Sequence, residues 1–173
     1  MKDIFIEQLV KRKPTLTDSL RKASYIVTMI CIVFAFVVFL PFLLGILPLL
    51  IFAMFFLVLL LFRRHNIEYE YILTNSELDI DVIYGKSKRK RVFEGNIKNF
   101  EAFRPHGSSK FEHGFRQAQV KLDFSSGDVV HTHSFLCTYN GKKYNITFEP
   151  NSEILVAMRI FLKRGTYVLN DMK

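Results

Sequence analysis

Two groupings in this chain have residue types and spacing that could do chemistry. His131 and His133 stand two apart in a run with strand character, so their side chains leave the same face, and Cys137 follows four positions later on that side. Imidazole nitrogens and a thiolate are the ligands of zinc-like sites. Three such groups without supporting spacing elsewhere fall short of a ligand set, and beside Thr132 and Ser134 they read more simply as packing or surface residues of a strand. No metal and no cofactor is therefore expected. The second grouping is basic: Lys86, Lys88, Arg89, Lys90 and Arg91. At a membrane surface such a run is attracted to acidic lipids by about 1 kcal/mol per charge. A competing reading lies just upstream. Glu68, Glu70, Glu77, Asp79 and Asp81 alternate along the preceding hairpin, so basic residues pointing to the same side would pair with them across the sheet and cancel the local field.

Catalysis would need a nucleophile with its base, paired acids in a cleft, or a glycine loop for phosphate. None is arranged at a plausible element boundary, and the glycines stand singly at turns. The chain therefore reads as non-enzymatic, and the His131, His133, Cys137 group is the only opening to an unrecognised activity. The net charge of +8 splits into roughly +3 before residue 23 and roughly +5 after residue 62, a modest bias suited to an anionic surface and too weak for a nucleic-acid footprint. Cys31 and Cys137 are too differently placed to pair, and both read as reduced.

The elements that would position these groups begin with an uncharged run from Ala23 to Phe62, roughly 40 residues and about twice a single membrane span. Arg21 and Lys22 precede it, Arg63 and Arg64 follow it, and Pro41, Gly45 and Pro48 break it. The pattern predicts a transmembrane helical hairpin, with arms at 23–40 and 48–62. Basic flanks on both sides place both termini in the cytoplasm of a multi-pass plasma-membrane protein. A re-entrant hairpin that dips in without crossing is the alternative. Phe5, Ile6, Leu9 and Val10 share a helical stripe, so residues 1–22 read as an interfacial amphipathic segment, ended by Pro14 and followed by a Thr15, Asp18 capping box. Packing of the first ten residues onto the folded domain is the competing reading.

After Arg64 the period changes from helical to alternating. Ile67, Tyr69, Tyr71 and Leu73 face one way, as do Leu78, Ile80, Val82 and Tyr84 beyond a turn at Asn75 and Ser76. A third strand spans Ser87 to Phe93 and a fourth Ile97 to Phe103. The polar stretch His106 to Gly114 reads as a loop. Three more strands follow, with turns at Ser126-Gly127 and Asn140-Gly141, and then a helix starting at Pro150, Asn151 and Ser152. Seven strands and a closing helix predict a seven-stranded antiparallel barrel, plugged at one end, over 67–165, with 166–173 as a tail.

The hairpin Tyr71-Ile-Leu-Thr-Asn-Ser-Glu-Leu-Asp-Ile80 is similar to the Tyr-x-Leu-Thr-Asn/Asp-x-x-Leu signature of bacterial pleckstrin-homology-like (PH-like) domains fused to membrane hairpins. The glycine and basic third strand after it, and the final helix, extend the resemblance. More narrowly, Glu7-Gln-Leu-Val-Lys-Arg-Lys-Pro14, the apolar run and Tyr69-Glu-Tyr-Ile-Leu-Thr-Asn75 resemble DUF6106, a Firmicutes family of membrane proteins described by architecture rather than activity. The resemblance implies a PH-like barrel and supplies no catalytic residue. Eukaryotic relatives hold inositides with basic residues around the first hairpin loop. Here Thr74, Asn75, Ser76 and Glu77 carry none, which argues against that mode. The expectation is a membrane-anchored docking or scaffolding module, with membrane lipids, another membrane protein or further copies of itself as partners. An anionic-lipid sensor using the basic strand is the alternative.

Overall fold

The computed structural model describes residues 3–38, 45–64, 66–139 and 141–167. They fall into two compact units. One is helical and holds 14–67 with 84–87, and the other carries the sheets, from 1–13, 68–83 and 88–173.

In the helical unit, α1 (Leu16–Val38) and α2 (Leu47–Arg64) lie against each other. One half of the expected capping box is present, since the Thr15 N–H donates to Asp18 Oδ2 at 3.1 Å, and the Thr15 hydroxyl donates to the same atom at 2.7 Å. Ile26, Ile30 and Phe34 on α1, and Phe52, Phe55 and Phe56 on α2, remain exposed. Among the described residues no helix is long and apolar enough to cross a membrane. Arg21 and Lys22 lie within α1, and Arg63 and Arg64 end α2. The charge-free part of each helix is thus about 16 residues, or about 24 Å, against a hydrocarbon core of about 30 Å. The expected transmembrane hairpin, and with it the multi-pass plasma-membrane topology with cytoplasmic termini, is corrected accordingly. Pro41, the expected break between the arms, lies outside the described residues.

The sheet unit begins with a second correction. The first residues form a strand, β1 (Phe5–Lys11), antiparallel to β2 (Ile67–Thr74), not an interfacial helix. Ile6 and Val10 are four apart, a spacing that fits one helical face and equally one strand face, and both are buried. Polar ties then select the strand. Asn75, at φ 53°, donates its N–H to Ile4 O and accepts the Ile4 N–H on its side chain. The Gln8 amide donates to Glu149 O at 2.8 Å and accepts from Asn151 N at 2.7 Å.

The first sheet has the order β1-β2-β3-β4, with β3 at Glu77–Tyr84 and β4 at Lys88–Asn96. A 3-10 turn, Ile97–Asn99, takes the first three residues of the expected fourth strand, and β5 is confined to Ala102–Pro105. The expected loop at 106–114 contains the start of a short helix, α3 (Glu112–Arg116). The second sheet has the order β5-β7-β8-β6, with β6 at Val120–Asp123, β7 at His133–Tyr139 and β8 at Lys142–Phe148.

These are two open four-stranded sheets and not a closed seven-stranded barrel. The cause is local. Ser126-Gly127 was expected to turn β6 back onto its successor, but β8 inserts between them and pairs with β6 in parallel. The wide connection that makes room for β8 is held by Asp123 Oδ1, which accepts from both the N–H and the hydroxyl of Ser125, and by the Glu149 carboxylate, which accepts the Ser126 N–H. Consequently β4 and β6 end their sheets without meeting.

The core between the sheets is aromatic. Phe135 stacks on Phe100 at 4.1 Å between centroids and meets Phe148 edge-on at 5.5 Å, and Phe148 meets Tyr71 at 5.5 Å. Burying each such ring contributes about 2 to 3 kcal/mol. The Tyr71 hydroxyl donates to Phe124 O at 2.6 Å and accepts the Glu149 N–H at 3.2 Å, so a fully buried phenol ties the first sheet to the second. Burial raises its pKa well above the ordinary phenol range. α4 (Ser152–Phe161) packs with Ile154, Ala157 and Met158 inward, and the Asn151 side chain caps it by accepting the Ile154 N–H at 2.8 Å.

Candidate functional site

The basic strand divides by alternation. Arg89 and Arg91 reach the acidic residues of β2 and β3: Arg89 pairs with Glu70 and lies 3.5 Å from Asp81, while Arg91 lies 3.0 Å from Asp79 and 3.1 Å from Asp81. Asp81, 2% exposed, is held between the two guanidinium groups. Glu94 lies 3.5 Å from Arg91 as well, so six formal charges share one patch, with four carboxylates outnumbering two cations. Burial raises the Asp79 carboxyl above its ordinary range, and Arg91 only partly offsets this. Lys88 and Lys90 alternate away from that patch and are exposed. Lys86 sits in the preceding turn at φ 60° and groups with the helical unit. Of the flanking basic residues, Arg21 is exposed and Lys22 half-buried, and the side chains of Arg63 and Arg64 lie outside the described residues.

The histidine and cysteine grouping does not come together as a ligand set. His133 and Cys137 lie on β7, but His131 precedes the strand. The His133 ring stacks on Phe103 at 5.4 Å between centroids. Burial pushes the Cys137 thiol up to about 11, with the Glu101 charge adding to the effect, so it is a protonated core residue near neutrality. Among the described residues no group of three or more His, Cys, Asp or Glu could hold a metal ion.

A different feature occupies the gap in the expected barrel. Between the ends of the two sheets lies a cleft of about 210 Å³, lined by four consecutive residues of β4, Arg91 to Glu94, and by Leu122, Tyr139 and Tyr144. Four consecutive residues mean that the strand's edge, and not one face of it, borders the space. Tyr139 and Tyr144 meet edge-on at 6.1 Å. They sit diagonally across the β7–β8 hairpin, where Tyr139 opposes Lys142 and Cys137 opposes Tyr144. At the β4 wall, a Cβ on Gly95 would come 2.7 Å from the Phe93 ring, so glycine lets that ring fold over the strand.

The sequence reading missed this cleft because its residues come from four strands. The signals available were the two tyrosines flanking the Asn140-Gly141 turn and the glycine two places after Phe93. Asn140 itself lies outside the described residues, but Gly141 at φ 72° and the register on either side fit the hairpin read there.

No curated protein matches this chain, and no solved structure does. One family model does match, over residues 2–168, so it spans both the helical pair and the two sheets. The chain therefore belongs to the bacterial PH-like domain family DUF6106.

Proposed function

We propose that this PH-like chain is a non-enzymatic docking module, associated with a membrane through the exposed apolar sides of α1 and α2. Its cleft between β4 and β6 receives an extended segment of a protein partner. The observation that carries the reading is the pairing of an aromatic-lined cleft with an edge of β4 that no other strand among the described residues pairs. An added strand would satisfy main-chain groups along that edge while its side chains met Val92, Leu122, Tyr139 and Tyr144. The exposed aliphatic and aromatic residues of the helical unit form the kind of surface that requires an apolar environment.

The test is site-specific photocrosslinking from position 139 of the full chain in its native membranes. Tyr139 is half exposed and lines the cleft. The expected result is a discrete protein adduct that is lost when Leu122→Lys fills the cleft. Adducts to lipid alone, an adduct unchanged by Leu122→Lys, or recovery of the chain in the soluble fraction without detergent would each overturn the reading.

A further inference from the structure

Strand β1 ends the first sheet, and its outer face carries Phe5 and Leu9, 63% and 57% exposed, alternating with the exposed Glu7 and Lys11. The Asn75 N–H bonds to Ile4 O, and Ile4 faces Asn75 in the same register that pairs Phe5 with Thr74. Antiparallel ladders alternate, so the main-chain groups of Ile4, Ile6, Gln8 and Val10 point to β2. Those of Phe5, Glu7, Leu9 and Lys11 point to the open edge. Four adjacent odd-numbered residues therefore offer main-chain groups that nothing among the described residues pairs, together with an outer face that is half apolar. Such an edge favours strand addition unless it is blunted, and no proline or bulge interrupts it.

We infer that a second copy of this chain pairs here, β1 against β1, antiparallel about a two-fold axis through Leu9. The registers that match open-edge groups with each other can be compared by charge. Centring on Glu7 places that carboxylate against its own symmetry mate. Centring on Gln8 sets Glu7 against leucine and Lys11 against phenylalanine. Centring on Leu9 sets Glu7 of each copy against Lys11 of the other, twice, with leucine against leucine on the axis. Among the residues of β1 itself, only the last of these three registers makes opposite charges face each other directly, and a two-fold interface doubles every such gain. The result is one continuous eight-stranded sheet across two molecules. This pairing uses the opposite end of the sheet from the β4 cleft, so it stands or falls independently of the docking reading.

The test is a charge swap in the full chain, read by sedimentation over a range of concentrations in mild detergent. The wild type is expected to dimerise, and Glu7→Lys or Lys11→Glu alone is expected to weaken the dimer about tenfold or more by creating two like-charge pairs. The double variant Glu7→Lys with Lys11→Glu is expected to restore it, which a folding defect would not do. Independently, Leu9→Cys in a Cys31→Ser background is expected to give an intermolecular disulfide under mild oxidation, because position 9 faces itself at a distance within disulfide reach. A wild-type chain that stays monomeric overturns the inference. So does a dimer that both single variants leave unchanged, or the absence of a disulfide at position 9.

Discussion

The two outer strands of the first sheet solve the problem of an open edge in opposite ways. β4 is dense in charge, and its Arg89 and Arg91 lie over three acidic side chains of its neighbours. β1 carries only Glu7 and Lys11 on its outer face and leaves Phe5 and Leu9 in water. Charge on an edge discourages indiscriminate pairing, whereas an apolar edge with one charge of each sign accepts a matching strand and rejects others. Within one four-stranded sheet, then, the two ends differ in composition: the outer face of one carries a paired cluster of charge, and that of the other carries exposed apolar residues with one charge of each sign.

The sharpest way to break this comparison is to ask whether β1 belongs to the fold at all. Ile6 is buried and Phe5, its neighbour, is exposed. Ile6→Ala is expected to cost about 3 kcal/mol, and Phe5→Ala less than about 0.5 kcal/mol, by urea unfolding followed through tyrosine fluorescence. Equal effects would mean that β1 is an appendage and not a wall of the core.

At the other end, Arg91→Met would leave the buried Asp81 with fewer partners. The guanidinium is about half exposed, so water can partly replace it, and the expected loss is about 1 to 2 kcal/mol. Lys90→Met, one residue away on the opposite side of the strand, is expected to change stability by less than about 0.5 kcal/mol. Comparable losses at the two positions would contradict the alternation.

The smallest effect is a difference in pH response. Burial holds the Asp79 carboxyl above its ordinary range, so the folded chain binds that proton more tightly than the unfolded chain does. Its stabilising contribution is present below the unfolded value and is lost as pH rises through the folded one. Glu101 is the reverse. Its hydrogen bonds from Lys143 at 2.7 Å and from Thr138 at 2.6 Å lower its pKa. Its contribution is present above the unfolded value and is lost as pH falls through the lowered one. Asp79→Asn is therefore expected to stabilise the protein at neutral pH and have little effect in acid. Glu101→Gln is expected to destabilise it at neutral pH and have little effect in acid. Unfolding midpoints taken across the acid range check both, and matching signs at neutral pH would refute the assignment.

Much of the sheet unit was legible from alternation alone. Tyr71, Leu73, Leu78, Ile80, Ile146 and Phe148 were read as inward-facing, and each is buried. The turn at Asn75 and Ser76 and the cap at Asn151 also stand where local chemistry puts them. The outward carboxylates were less transparent. Asp81 alternates like a solvent-facing residue yet is buried, because two arginines from the next strand lie over it. Strand period reports which face a residue takes, not what a neighbouring strand lays across that face.

Local patterning by itself determined most of the strands after Arg64, most of their inward faces, the Asn151 cap and the charge balance, since each depends on residues close together in the chain. Tertiary structure decided the rest. The spacing of Ile6 and Val10 fits a helix or a strand, and only the distant partners Asn75, Glu149 and Asn151 make it a strand. Seven strands in sequence are equally compatible with a closed barrel and with two open sheets. The parallel pairing of β6 with β8 opens the structure, and with it creates the cleft beside β4, because strand order is set by contacts between residues far apart in sequence that no local pattern encodes.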